Sequence, residues 1–310
     1  MPPETPAFLD PRLTERRNPR SHDLDACSSL ELVDLINAED ATVAAAVARA
    51  REELARVIDL TEAAFRAGGR LLYLGAGTSG RLGVLDAAEC VPTFSVPPGM
   101  VIGIIAGGAP ALLRPVEGAE DDVNAGIAIL DGHQVGPNDV VIGIAASGTT
   151  PFVRGALGRA QALGAKSVFL SCSEPPQLLR DTCDVCITLL TGPEVLTGST
   201  RMKAGTATKL ALNIISTGAM VRIGKTWGNL MVDLTATNSK LVDRSQRILM
   251  EATGVDRAQA KAALEASGGS VKVAIVSLRR GLPREEAERL LAAHGGSLRS
   301  IVGAPPEVTG

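Results

Sequence analysis

Apolar positions along this chain change rhythm twice. From about Asp40 to Arg66 an Ala-rich pattern without Gly or Pro predicts helix, stopped by Gly68-Gly69. Five short apolar runs follow: Leu71–Leu74, Val101–Ile105, Val140–Ile144, Ser167–Leu170 and Val185–Leu189. Turn residues bound each run, and helical stretches separate most of them. Near-continuous apolar strands alternating with helices predict a parallel sheet covered by helices on both faces. After Gly192 a polar loop becomes a long helix, and residues 228–250 continue helically. Around Ala252–Asp256 the rhythm shortens into three helices punctuated by Gly268-Gly269, Gly281-Leu282-Pro283 and Gly295-Gly296. The fold class is therefore α/β. An arm and short helix are expected over 1–38, a main domain over 39–250, a helical bundle over 251–303 and a frayed tail over 304–310.

Composition narrows this picture. With 310 residues, 45% hydrophobic, the chain can bury a large core. The net charge of −3, with basic residues spread along the chain, argues against a nucleic-acid partner. Aromatics at 2% leave few platforms for stacking bases. No apolar run reaches the ~18 residues of a membrane span, and no leader pattern opens the chain. Cys27, Cys90, Cys172, Cys183 and Cys186 make an odd, scattered set, which fits reduced thiols in a cytoplasm.

Ligands of a parallel sheet sit at the carboxyl ends of its strands. Those ends carry Gly75–Gly80, Ala106–Gly108, Ala145–Thr150 and Ser171–Ser173. The first, Gly75-Ala76-Gly77-Thr78-Ser79-Gly80, fits G-x-G-x-x-G. A dinucleotide site would also place an acidic residue at the end of the second strand, where this chain has Ala106-Gly107-Gly108. Thr78 and Ser79 offer hydroxyls beside a helix N-terminus, so a phosphate cradle is the favoured reading, with a dinucleotide site or a purely structural turn as alternatives. Ser147-Gly148-Thr149-Thr150-Pro151 is a second hydroxyl cluster. Taken alone it reads as a capped helix, with Thr150 as cap and Pro151 in the first helical position.

Other motifs carry less. Gly224-Lys225-Thr226 superficially completes a nucleotide P-loop but follows a helical run, and reads as a helix end. Cys183-Asp184-Val185-Cys186 has no second pair or nearby His, so packing explains it and no metal site is expected. The carboxylates tell more. Glu89 ends an otherwise apolar helical stretch, whereas Glu117 through Asp122 could simply serve a helix dipole. Two convergent carboxylates can act as separate acid and base.

Taken together these blocks resemble the N-acetylmuramic acid 6-phosphate etherases. The resemblance rests on TERRNPRS at 14–21, INAEDATV at 36–43, YLGAGTSGRLGVLDAAEC at 73–90 and VEGAED at 116–121. It continues through GIAASGTTP at 143–151, LTGSTRMKAGTATKLALN at 196–213 and GNLMVDLTATN at 228–238. It implies a sugar isomerase (SIS) fold with a five-stranded parallel sheet, a ubiquitin-associated-like C-terminal bundle and a homodimer. The implied reaction releases D-lactate from the sugar phosphate in cell-wall sugar recycling, with no metal or redox cofactor. By motif, Glu89 matches the acid and Glu120 the second glutamate, read as the base. Gly77, Thr78, Ser79, Ser147, Gly148, Thr149 and Thr150 become substrate contacts, and Ser199, Thr200 and Lys203 further candidates. Two departures stand out. Ala88 and Val91 flank Glu89-Cys90 where the family more often has Ser and Pro, and Thr149 replaces an arginine that could grip phosphate. A sugar-phosphate-sensing regulator or an aldose–ketose phosphate isomerase on the same fold are the alternative readings.

Overall fold

In the computed structural model, residues 10–234 and 239–307 are described. Residues 1–9 of the expected arm, 235–238 of the expected helical run and 308–310 of the tail lie outside them. Two compact units form: Met1–Ala87 with Val101–Ile215, and Ala88–Met100 with Ser216–Gly310.

The first unit opens with short 3-10 turns and then α1 (Ser29–Asp40), α2 (Val43–Arg49) and α3 (Arg51–Arg66). Ser28 and Glu31 close a capping box on α1. The pattern read as one helix from Asp40 is broken around Ala41-Thr42 and again at Ala50. No Gly or Pro marks either break. Each segment buries its own apolar face, Val43, Ala46 and Val47 on α2 and Leu54 and Val57 on α3.

The strands are β1 (Leu71–Gly75), β2 (Val101–Ile105), β3 (Val140–Ile144), β4 (Lys166–Ser171) and β5 (Val185–Thr188). They pair in parallel in the order β2-β1-β3-β4-β5. Leu71 through Leu74 and the β3 residues Val140, Val141, Ile142 and Ile144 are all buried, as a sheet covered on both faces requires. The intervening helices are α4 (Gly77–Phe94), α5 (Pro110–Leu113), α6 (Val123–Gly132), α7 (Pro151–Ala162) and α8 (Gln177–Thr182), and α9 (Lys203–Arg222) follows β5. On one face Leu72, Leu74, Val141 and Phe169 meet Leu130 of α6, Phe152 and Val153 of α7 and Leu179 of α8. Helix α7 comes so close that a Cβ on Gly143 would stand 2.7 Å from Val153 Cγ1. Across the sheet, α3 packs on β1, β3 and β5. On that side the Tyr73 hydroxyl donates to Asp86 Oδ2 of α4 at 2.8 Å, and Asn213 Nδ2 of α9 donates to Asp86 Oδ1 at 2.7 Å.

The second unit contains α10 (Ser239–Thr253), α11 (Arg257–Ala266), α12 (Val271–Arg280), α13 (Arg284–Ala293) and α14 (Leu298–Val302). The glycine punctuation marks the ends of α11, α12 and α13. The expected boundary at 250/251 is displaced, however. Trp227, Val232, Leu234, Ile248 and Leu249 share one core with Ala260, Ile275, Ala287 and Ile301. The apolar face of α10 and the Trp227 ring are buried there, and the unit takes in the chain from Ser216 onward together with Ala88–Met100. Residues 228–234 are also not helical, since Trp227 and Leu230 exchange backbone hydrogen bonds at 3.2 and 3.1 Å. The Gly-Lys-Thr stretch is the helix stop it was read as: Gly224 has φ +80° and the Lys225 N–H donates to Met220 O. Among the described residues no helix is long and apolar enough to cross a membrane.

Candidate active site

The chain leaves β1 toward β2 on one side and leaves β3 toward β4 on the other. Their carboxyl ends therefore flank the crevice where open parallel sheets hold ligands. The turn after β1 is shaped by close approach. A Cβ on Gly80 would lie 2.6 Å from Gly75 O and 2.7 Å from Ile105 Cγ1, and one on Gly75 would lie 2.8 Å from Gly80 N. Gly77 takes φ +52°, a conformation L side chains avoid. Helix α4 thus starts directly off the strand, presenting unpaired first-turn N–H groups and a positive dipole end to the crevice.

A cavity of about 280 Å³ opens beside this turn. Ala76, Gly77, Thr78 and Arg81 form one wall, and Ala106, Ala111 and Pro115 through Glu120 form the other. Gly118, in the left-handed region at φ 73°, bends the second wall so that Glu117 and Glu120 both line the space. Arg81 joins the walls by donating Nη2 to Ala111 O at 2.7 Å and Nε to Leu112 O at 3.0 Å. Asp122, by contrast, caps α6 by accepting from Ala125 N at 2.8 Å, which is the helix-terminus role its position suggested.

Gly77, Thr78 and Glu120 thus share one cavity. Ser79 is half-buried in the first turn of α4 and does not line the cavity. Past β3, Ser147 Oγ and Thr149 Oγ1 stand 3.3 Å apart, and Gly148 has φ +88°. Thr150 holds the N-cap position of α7, with Pro151 next, but its side chain makes no cap bond there. That corrects the reading of Thr150 as a side-chain cap. Glu89 is exposed on α4, within the second unit, and is not among the residues lining this cavity. Ser199 and Thr200 lie in the loop entering α9. A Cβ on Gly205 would stand 3.4 Å from both Thr200 O and Thr78 Cγ2, so this loop adjoins the turn after β1.

Lys203 is a correction. Its side chain is 2% exposed and its Nζ donates to Glu39 Oε2 at 2.6 Å, so its charge is used inside the protein. Asn18 Nδ2 also donates to Glu39 Oε2, at 2.9 Å, and Arg20 Nε approaches Glu39 Oε1 at 2.5 Å. Burial works against the Glu39 carboxylate, but Lys203, Asn18 and Arg20 outweigh it and hold its pKa below the usual glutamate range. Glu194, fully buried, caps α9 by accepting from the Lys203 and Ala204 N–H groups at 3.0 and 2.9 Å. Here burial prevails and raises its pKa. Sequence reasoning gave Asn18, Glu39 and Glu194 no role. Asn18 and Glu39 lay inside quoted blocks, yet nothing in their spacing points to a lysine 164 positions away.

Residues 53–161 match the family described as the glucokinase regulatory protein N-terminal SIS domain. With the five-stranded parallel sheet and its flanking helices, this makes the chain a SIS-fold protein. It is similar to N-acetylmuramic acid 6-phosphate etherases from Synechocystis sp., 53% identical over 95% of this chain and 96% of the relative, and Erwinia tasmaniensis, 52% over 94% of each. The relative from Thermosynechococcus vestitus is 58% identical over 85% of each chain. The chain belongs to the N-acetylmuramic acid 6-phosphate etherase family.

Proposed function

We propose that this protein cleaves the lactyl ether of N-acetylmuramic acid 6-phosphate, giving N-acetylglucosamine 6-phosphate and D-lactate. An ether resists direct hydrolysis, but in the open-chain sugar C1 is an aldehyde. The C2 proton is then acidified, and the C3 ether oxygen lies β to the carbonyl. A base takes the C2 proton while an acid protonates the departing lactate oxygen, and water adds back at C3. We assign Glu120 as the base and Glu89 as the acid. Thr78, Ser79 and the Ser147–Thr150 cluster grip the phosphate and sugar beside the N-terminus of α4. The observation that carries this reading is the cavity in which Glu120 faces Gly77 and Thr78. We place the reaction in the cytoplasm, in cell-wall amino-sugar recycling, and the protein in a homodimer.

The purified chain should release D-lactate from this substrate without added metal or nucleotide. In deuterated solvent, Glu120→Ala should stop exchange at C2, while Glu89→Ala should retain it and lose lactate release. The opposite pattern would reverse the two roles. The match to the regulatory protein's domain favours one second reading, a sugar-phosphate sensor. Tight binding with no lactate under any buffer condition would select it.

A further inference from the structure

The loop entering α9 is held from outside itself. Its own backbone bonds are local: Ser199 N to Leu196 O, Thr200 N to Gly198 O and Met202 N to Ser199 O. The N-terminal arm supplies the rest. Asn18 Nδ2 donates to Pro193 O at 3.3 Å, Ser21 Oγ donates to Val195 O at 2.7 Å, and the Gly198 N–H donates to Thr14 O at 3.1 Å. Thr14 is completely buried, and Asn18 nearly so. Asn18 uses both ends of its amide, since its Oδ1 accepts from Arg20 N at 3.0 Å and closes the arm's own turn. At the far side of the loop, Glu194 on the first N–H groups of α9 and the Glu39–Lys203 pair fix where the helix begins. The loop is therefore suspended between the arm and α9, with its Thr200 carbonyl and Thr78 Cγ2 each 3.4 Å from where a Cβ on Gly205 would stand.

We propose that Asn18 and Ser21 are positioning residues for sugar-phosphate binding, acting by holding the 195–200 loop, with Ser199 and Thr200, against the turn that carries Thr78. This rests on the etherase reading, and it adds a role for the arm. Ser21 gives the cleaner test, because its hydroxyl reaches the loop while Asn18 also serves Glu39. Removing one such hydrogen bond is worth about 1 kcal/mol, or roughly five- to tenfold in an equilibrium constant.

The experiment is D-lactate release by the full chain, comparing Ser21→Ala, Ser21→Thr, Thr200→Ala and the Ser21→Ala/Thr200→Ala double variant. Ser21→Ala should raise KM roughly five- to tenfold with kcat little changed, and Ser21→Thr should restore KM. The double variant should be no worse than Thr200→Ala alone, because Ser21 acts through the loop. Additive losses, or a fall in Tm with KM untouched, would overturn the proposal in favour of a merely structural arm. Calorimetric binding of N-acetylglucosamine 6-phosphate separates the two readings. If the parent chain binds it but releases no lactate from N-acetylmuramic acid 6-phosphate, the etherase reading fails, and weaker binding by Ser21→Ala keeps the positioning role. Unaltered binding in Ser21→Ala overturns it.

Discussion

Two stretches of chain come together next to Gly205, and they are held in opposite ways. The turn after β1 is held by contact. Gly75 and Gly80 approach each other and Ile105 so closely that no Cβ fits on either. The loop before α9 is held by charge and hydrogen bonds, from Asn18, Ser21, Glu194 and the Glu39–Lys203 pair. A cradle built from backbone contact depends on a few neighbouring residues and is indifferent to pH. One built from buried carboxylates depends on distant parts of the chain and responds to protonation.

The largest expected effect is on the ionic side. Lys203→Met leaves the buried Glu39 carboxylate with Asn18 and the mostly exposed Arg20. Breaking a buried pair from one side costs about 3–5 kcal/mol, whereas replacing both partners by apolar groups is often neutral. Denaturant unfolding should therefore show a large loss for Lys203→Met and recovery in Lys203→Met/Glu39→Leu. A loss under about 1 kcal/mol in the single variant would mean the pair contributes little.

On the contact side, Gly80→Ala should cost about 1–3 kcal/mol, because the methyl group meets the Gly75 carbonyl and the Ile105 side chain. Gly77→Ala has nothing within 4 Å of the new Cβ and faces only the strain of φ +52°, about 1 kcal/mol. Equal thermal shifts for the two would undo the distinction between crowding and backbone strain.

The smallest effect concerns pH, where the two buried glutamates run in opposite directions. Glu39, its pKa depressed in the fold, adds stability above the ordinary carboxylate pKa that is lost as pH falls through its folded value. Glu194, its pKa raised by burial, adds stability only below its unfolded pKa, and loses it as pH rises through its folded value. Relative to the parent chain, Glu194→Gln should therefore gain Tm as pH rises above the ordinary glutamate pKa, while the Tm deficit of Glu39→Gln should shrink as pH falls below it. Parallel curves for all three proteins would remove charge from the account of the loop.

Much of the contact-built half could be read along the chain. Val101–Ile105 and Val140–Ile144 are strands with the expected limits, and Val140–Ile144, buried throughout, shows the unbroken apolar run that a strand covered on both faces leaves. The glycine spacing marked the turn, and the absent acid after β2 argued against a dinucleotide. Glu120 stood out only through the VEGAED block, and the cavity wall it forms needs the bend at Gly118. The division into units was not legible at 250/251. Trp227 and the buried face of α10 are shared with a core assembled from residues far downstream. Periodicity reports that a face is apolar, and does not report what covers it.

Local chemistry written in consecutive residues decided the α/β class, the strands, the helix stops and the hydroxyl-bearing turns, since each depends on neighbours a few positions away. Three-dimensional packing decided that Lys203 is an internal strut for Glu39, that Thr150 leaves α7 without a side-chain cap, and that the arm reaches the 193–203 loop. Those outcomes rest on pairs as far apart as Ser21 with Val195 and Glu39 with Lys203. Buried charges take whichever partner the fold brings to them, because leaving one unpaired costs more than any local preference can offset.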